Sequence, residues 1–273
     1  QEIDDVRPED DEPDGDVLRV FVPGTDVPIP PDERTTVIDD SFVARAPLEP
    51  LSDPVALEAR RSQVAARLRA YAFQQFPATD PPLDLDVHQR FETQTSRGAH
   101  FRFTGEAGWR LNGTYTYHPA WDAPRGVVIS LRDPSDVRTT DVRGEVVRDV
   151  SAAFVGRLSE RYAVAHVETR GSGEAGWAPG LSWHVRRAAA VLGRTVAGMR
   201  VYDTLRAVEA VRKSASAESV EIDHVVLAAR GEMTVVALCA ALLDGTIRGV
   251  ALQDLPATLN EPSRPDGRGP SVE

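Results

Sequence analysis

Residues 220–254 constrain the fold more than any other part of the sequence. They contain an apolar, β-branched run at 224–228, a short turn at 229–233, an apolar segment at 234–243 and a second apolar run at 247–252. These lengths predict a strand, a tight turn, a helix and another strand. Two strands joined through a helix pair in parallel, so the stretch predicts a parallel sheet packed against helices.

The preceding residues continue this alternation of strand and helix. Apolar runs at 126–131 and 164–168 predict strands, while residues 145–162 and 193–213 have helical composition and length. The sequence therefore predicts an α/β fold with a mostly parallel sheet flanked by helices.

Antiparallel strands are predicted on the amino-terminal side of this sheet, at 84–92, 99–104 and 110–118. Residues 105–108 and the Asn112-Gly113 pair have the composition of turns. Before them, Asp53 and Pro54 suit the start of a helix that extends to Phe73.

Composition divides the chain into three predicted parts. Residues 1–16 are expected to form an acidic disordered tail or linker, 17–82 an amino-terminal clasp with a helix, and 83–273 the main domain. The tail's acidic side chains, opposed only by Arg7, are Glu2, Asp4, Asp5, Glu9, Asp10, Asp11, Glu12, Asp14 and Asp16. Such a segment has too little apolar surface to fold by itself.

Net charge and apolar content exclude two classes of function. A net charge of -11 argues against nucleic-acid binding, which needs a basic face. No apolar run approaches the roughly 20 residues that cross a bilayer, so we expect no membrane protein. The chain begins with Gln1 instead of Met, which fits a secreted or periplasmic protein that has lost its leader, or a piece of a longer protein.

No cofactor or metal site is expected. The single cysteine, Cys239, excludes a cysteine-based metal cluster and fits a small buried side chain within a helix. The histidines lack the spacing of a local zinc motif, and the glycines near Gly171 lack the pattern of a phosphate-binding loop.

Three motifs carry a resemblance to a known family. They are the strand, turn and helix at 225–243, the sequence Arg170-Gly171-Ser172-Gly173-Glu174 after a strand, and the helical segment 193–212. The chain resembles the α/β-hydrolase superfamily, in particular bacterial acetyl xylan esterases and prolyl-oligopeptidase-like hydrolases. This resemblance implies that Ala229, Arg230, Gly231, Glu232 and Met233 form the nucleophile elbow, whose pattern is G-x-S-x-G.

The sequence departs from that family at the residues that perform its chemistry. Gly231 occupies the position of the serine nucleophile. The turn expected to supply oxyanion donors contains Arg132, Asp133 and Pro134, and a proline has no N–H to donate. The chain reaches Glu273 before the later acid and histidine of a triad, so we expect truncation or a natural loss of the carboxyl-terminal part.

A vestigial pocket is predicted around the elbow. Ser172 is a poor substitute for the nucleophile, Arg170 and Glu174 are expected to pair, and Glu232 is expected to be an ionised cap or to pair with Arg230. The predicted pocket residues are Arg230, Gly231, Glu232, Arg132, Asp133, Arg170, Ser172, Glu174, Trp177 and His184.

Two tryptophans near the predicted pocket could bind a ligand or could be structural. Trp177 and Trp183, expected to bracket a loop beside the site, could stack on a sugar or cover the core. Of these two roles, the sequence favours the one in which the tryptophans cover the hydrophobic core.

Three functional hypotheses follow. The first is a catalytically degenerate, esterase-like module of a carbohydrate-ester hydrolase, with a carbohydrate or ester as ligand. The second is an active carboxyl or acetyl xylan esterase completed by a further segment or subunit. The third is a noncatalytic assembly domain that forms a homo-oligomer or pairs with a missing carboxyl-terminal segment through the strand at 247–252.

Overall fold

The computed structural model describes residues 30–34, 50–120, 126–132, 139–140, 146–148, 155, 162–173 and 176–256. Contacts divide the chain into two units, Gln1–Ser52 and Asp53–Glu273. In the first unit the Glu33 amide donates to the Pro30 carbonyl in a turn. Every element below belongs to the second unit. The division at 1–16, 17–82 and 83–273 stays a prediction, because few residues of the first unit are described.

An antiparallel meander forms one side of the sheet, as predicted. Its strands are Asp86–Glu92 (β1), Arg97–Thr104 (β2) and Arg110–Tyr117 (β3), paired in sequence order.

The predicted turn at Asn112-Gly113 is wrong, since both residues lie inside β3. A Cβ at Gly113 would lie 2.4 Å from the ring of Phe101, so this glycine makes room for a core aromatic instead of a turn.

The remaining strands are Gly126–Leu131 (β4), Thr139–Thr140 (β5), Val146–Arg148 (β6), Ala163–Val167 (β7), His224–Arg230 (β8) and Ile247–Gln253 (β9). Within the described residues, seven strands form one sheet in the order β1-β2-β3-β7-β4-β8-β9. β7, β4, β8 and β9 are mutually parallel, whereas β3 pairs antiparallel with β7. The predicted α/β sheet, parallel with antiparallel strands on its amino-terminal side, is confirmed.

Four helices accompany the sheet in the described residues: Pro54–Arg67 (α1), Pro179–Val191 (α2), Val196–Ala217 (α3) and Met233–Leu243 (α4). The Asp53 carboxylate caps α1 at the Ala56 amide, as predicted, and a π-helical turn at Leu68–Ala72 extends the helix.

The predicted helix at 145–162 is partly wrong, because Val146–Arg148 is a strand that pairs with β5. Val155 is helical, Tyr162 is a bend, and the rest of that prediction lies outside the described residues.

Two apolar clusters cover the opposite faces of the sheet. The larger one joins α3 and α4 to the meander and the parallel strands through residues such as Phe101, Leu227 and Met233. The smaller one contains Val128, Val155, Val164 and Ala228. Cys239 packs against the larger cluster, and burial raises the pKa of its thiol, consistent with the predicted apolar role.

Candidate functional site

The predicted elbow is a tight turn between β8 and α4 with Gly231 at its apex. Gly231 has a φ of +56°, in the left-handed region that glycine enters without a Cβ clash. Its amide donates to the Gln253 carbonyl of β9 at 3.1 Å. Its carbonyl accepts a hydrogen bond from the Thr234 hydroxyl at 2.6 Å. The turn is therefore held by its backbone on both sides, without any side chain at its apex.

Glu232, directly after Gly231, forms two ion pairs. Its carboxylate lies 2.6 Å from Arg200 of α3 and 3.3 Å from Arg186 of α2. The expected capping role is wrong: Glu232 occupies the N-cap position of α4, but its side chain makes no capping hydrogen bond. The two guanidinium groups hold the carboxylate instead, which joins three helices at the elbow.

Arg200 connects the elbow to the loop that follows β7. Its side chain is only 5% exposed. Its Nε donates to the Arg170 carbonyl at 3.1 Å, and its guanidinium lies 5.9 Å from the ring centre of Trp177. Trp177 is half-buried, so the structure brings Glu232, Arg200 and Trp177 into one connected group.

Arg170 lies at the centre of a buried charge network. Its Nε and backbone N–H donate to Asp203 Oδ2 at 2.9 and 3.0 Å, and its Nη2 donates to Oδ1 at 2.6 Å. Its Nη1 donates to Glu106 at 2.9 Å. The side chains of Arg170 and Asp203 are 1% and 0% exposed. The partner predicted for Arg170, Glu174, lies outside the described residues.

Glu106 extends the network to Arg194, which lies 2.7 Å away. Burial alone would raise the pKa of Glu106, but hydrogen bonds from Arg194 and Arg170 outweigh burial and lower that pKa. Glu106 is therefore a charged structural acid and a poor proton donor at neutral pH.

A further ion pair holds Arg132, another of the predicted pocket residues. Arg132, after β4, donates to Glu168 at 3.0 Å. Gly173 has a φ of +58°, and a Cβ there would meet the Glu168 carboxylate at 2.0 Å. Asp133 lies outside the described residues. Of the turn predicted to supply oxyanion donors, Arg132 is the one residue described, and its guanidinium is bonded to Glu168.

Ser172 is buried, although its neighbouring glycines could have exposed it. It is 1% exposed, and its hydroxyl donates to the Thr169 carbonyl at 2.8 Å. A hydroxyl that is buried and already donating is not available to attack an ester.

Trp183 and His184 lie on α2, a helix that the sequence did not predict. The Arg187 guanidinium lies 4.5 Å from the Trp183 ring centre, and the Trp183 and His184 rings meet edge to face at 5.4 Å. His184 is exposed, and Arg186 on the same helix reaches Glu232. The expectation that the two tryptophans bracket a loop is therefore wrong for Trp183.

Sequence reasoning missed most of the charged partners at this site. Arg200 and Asp203 lie within the α3 motif that supports the family resemblance, and charged residues among its apolar positions were the available signal. Arg194 also falls in the motif segment 193–212, just before α3, whereas Glu106 and Arg186 come from segments without such a signal.

The described residues contain neither a candidate metal site nor a candidate membrane-spanning helix. Among the described residues, no group of three or more His, Cys, Asp or Glu side chains could hold a metal ion. No helix in that part of the chain combines the length and apolarity needed to cross a membrane.

Comparison with known proteins gave matches among solved structures only. No family model matches the chain. No curated protein matches it either.

The solved structures similar to this chain include a candidate acetyl xylan esterase of Bacteroides fragilis, with a TM-score of 0.58 and 12% identity over 73% of this chain and 54% of that one. A glucuronoyl esterase of Solibacter usitatus has a TM-score of 0.51 and 18% identity over 74% of this chain and 59% of that one. A methylesterase has a TM-score of 0.55 and 13% identity over 73% of this chain and 41% of that one.

The chain thus spans from 41% to 59% of the length of these structures. At such low identity the likeness concerns the fold alone. The chain has the α/β-hydrolase fold, with an architecture similar to that of esterases.

Proposed function

We propose that this chain is a noncatalytic module of esterase ancestry that binds a carbohydrate ester without cleaving it. The observation that carries the proposal is Gly231, which stands at the apex of the elbow with a φ of +56° and has no side chain to attack an ester. Serine hydrolases need a hydroxyl at that apex, next to a general base.

The nearby hydroxyl groups do not replace the missing one. The Thr234 hydroxyl is buried and donates to Gly231, and the Ser172 hydroxyl is buried and donates to Thr169. The Glu232 carboxylate is engaged in ion pairs with Arg200 and Arg186. These contacts support a site that holds its shape without providing acyl-transfer chemistry.

The binding part of the proposal rests on aromatic and cationic side chains beside the elbow. Trp177 is half-buried under Arg200, and Trp183 is half-buried beside Arg187. Indole faces stack on sugar rings, and guanidinium groups bind carbonyl and carboxylate oxygens. Esterases of the matched fold act on xylan acetyl or glucuronoyl esters according to their names, so these esters are the first ligands to test.

The test of hydrolysis uses acetylated xylan, a chromogenic acetate ester and a fluorophosphonate serine reagent. We expect no turnover above the buffer rate and no stoichiometric labelling, for the wild type and for Ser172→Ala alike. Turnover or labelling that persists in Gly231→Ala and disappears in Ser172→Ala would show a displaced nucleophile and overturn the proposal.

The test of binding uses isothermal titration with acetylated and glucuronoylated xylo-oligosaccharides. We expect Trp183→Ala to weaken binding by roughly tenfold, as loss of one stacking or cation–π contact of 1–2 kcal/mol implies. Tyr71→Ala is the matched control, because Tyr71 is an aromatic residue that is 79% exposed on the π-helical turn. Equal binding by both variants and the wild type would remove Trp183 from the proposed site, and no binding at all would contradict the ligand class.

A further inference from the structure

Trp109 is an exposed aromatic residue at the same edge of the sheet as the elbow. It lies in the turn between β2 and β3, and β3 pairs antiparallel with β7, with Gly113 opposite Val167. The turn that precedes β3 is therefore beside the carboxyl end of β7. Since β7, β4 and β8 are parallel, Gly231 after β8 lies at that edge too. Open α/β sheets bind their ligands outside the carboxyl ends of the strands, so Trp109 is placed where a ligand is expected.

The turn holds Trp109 in a fixed position. The Trp109 amide donates to the Glu106 carbonyl at 2.8 Å, and the Trp109 carbonyl accepts a hydrogen bond from the Gly105 amide at 3.1 Å. The Glu106 carboxylate is bound by Arg170 and Arg194 at 2.9 and 2.7 Å. Because backbone and side-chain contacts both fix the turn, little conformational entropy is lost when Trp109 contacts a ligand.

Arg170 supports the Trp109 ring from the interior of the domain. Its guanidinium carbon lies 5.2 Å from the centre of the ring. The Arg170 side chain is 1% exposed, whereas Trp109 is 41% exposed. The indole therefore contacts a buried cation with one part of its surface and leaves another part to solvent. A rigid, amphipathic ring of this kind supplies contact area to a ligand at low entropic cost.

Trp177 and Trp183 repeat this arrangement farther along the edge. Trp177 lies in the loop after β7, where a Cβ on Gly171 would come within 2.9 Å of its ring. Trp183 lies on α2, which an ion pair joins to the elbow. The guanidinium groups of Arg200 and Arg187 lie 5.9 and 4.5 Å from the ring centres of Trp177 and Trp183 respectively. The strand order thus places Trp109 beside β3, Trp177 beside β7 and Trp183 near the end of β8.

We propose that Trp109 is the distal binding residue of an extended site, and that the ligand is a chain of several linked sugar rings lying along this edge. Three strand spacings separate β3 from β8, so Trp109 is about 14 Å from the elbow. One pyranose ring cannot span that distance, whereas several linked rings can. The inference rests on the proposed function, because it takes the ester-bearing sugar to lie at the elbow, and it adds Trp109 and a requirement for chain length.

Isothermal titration with acetylated xylo-oligosaccharides of two and of six sugar residues tests the extended site. The wild type should bind the hexasaccharide about tenfold more tightly than the disaccharide, because only the longer ligand reaches Trp109. Trp109→Leu removes the aromatic face but keeps an apolar side chain beside Arg170, and circular dichroism will confirm that it is folded. This variant should bind the hexasaccharide about tenfold more weakly than the wild type does, with unchanged affinity for the disaccharide.

Trp109→Phe is the matched control, because it keeps an aromatic face at the same position and should retain most of the preference for the longer ligand. Equal affinity of the wild type for both ligands overturns the extended site and leaves the proposed function standing. The same holds if Trp109→Leu binds the hexasaccharide as the wild type does, if it weakens both ligands equally, or if Trp109→Phe is as weak as Trp109→Leu. A wild type that binds neither ligand contradicts the proposed function, and this inference with it.

Discussion

The buried pair of Arg170 and Asp203 is expected to contribute strongly to the stability of the domain. Asp203→Asn keeps the volume of the side chain and removes its charge. The carboxylate accepts three hydrogen bonds from Arg170. An asparagine offers only one acceptor oxygen, and its NH₂ group would face an Arg170 donor. Because no cavity is created, the loss of stability measures the electrostatic and hydrogen-bond change alone.

The expected loss is about 3 kcal/mol in the free energy of unfolding. Breaking a buried ion pair by changing one partner costs roughly 3–5 kcal/mol, because a buried charge is left uncompensated. The low end applies here, since Arg170 keeps its contact with Glu106 at 2.9 Å. The free energy of unfolding of an ordinary domain is about 5–15 kcal/mol. The variant would therefore remain folded, but with a much smaller free energy of unfolding.

Urea unfolding followed by circular dichroism and tryptophan fluorescence measures this loss, provided that the m-value is unchanged. Lys213→Ala is the matched control: its pair with Glu209 is 2.7 Å long, but the lysine side chain is 57% exposed, so about 0.5 kcal/mol or less is expected. A loss for Asp203→Asn no larger than that of Lys213→Ala would refute the reasoning.

Two further predictions concern stability. Gly173→Ala should destabilise the protein by about 1 kcal/mol more than Gly108→Ala. Both glycines have positive φ, but a new Cβ at Gly173 would displace the Glu168 carboxylate, whereas nothing lies within 4 Å of a Cβ at Gly108. Equal losses of stability in urea unfolding would contradict this clash. Glu106 has a pKa below its ordinary value of 4.5, so its contribution to stability is present above pH 4.5 and is lost as the pH falls below it. Between pH 5 and 3, wild-type stability should therefore fall more steeply than that of Glu106→Gln, and parallel curves from urea titrations at each pH would count against a paired Glu106.

The strands of the seven-stranded sheet were predictable because each carries its own pattern. β4 has all six positions buried, and its sequence is correspondingly apolar. Helix α2 was missed because Ala189 is its one buried position among the residues whose burial is described, so no apolar stripe runs along it. The Asn112-Gly113 signal failed because tertiary packing against Phe101 decided the conformation there.

The elbow was predictable from sequence, but the charge network around it was not. A strand, a turn residue and an apolar helix are local features, and they placed Gly231 correctly between β8 and α4. By contrast, the contacts of Arg170 with Glu106 and Asp203 join residues that are far apart in the sequence. Choosing among many possible partners of opposite charge requires the fold itself.

The position of β4 has a consequence for synthesis of the chain. Both neighbours of β4 follow it in sequence, since β7 begins at Ala163 and β8 at His224. The meander can pair as soon as it leaves the ribosome, but the apolar β4 must wait for its partners. During that interval it is an exposed, unpaired strand of the kind that aggregates or recruits chaperones. Translation speed between Leu131 and Arg230 should therefore affect the yield of folded protein more than translation speed through the meander.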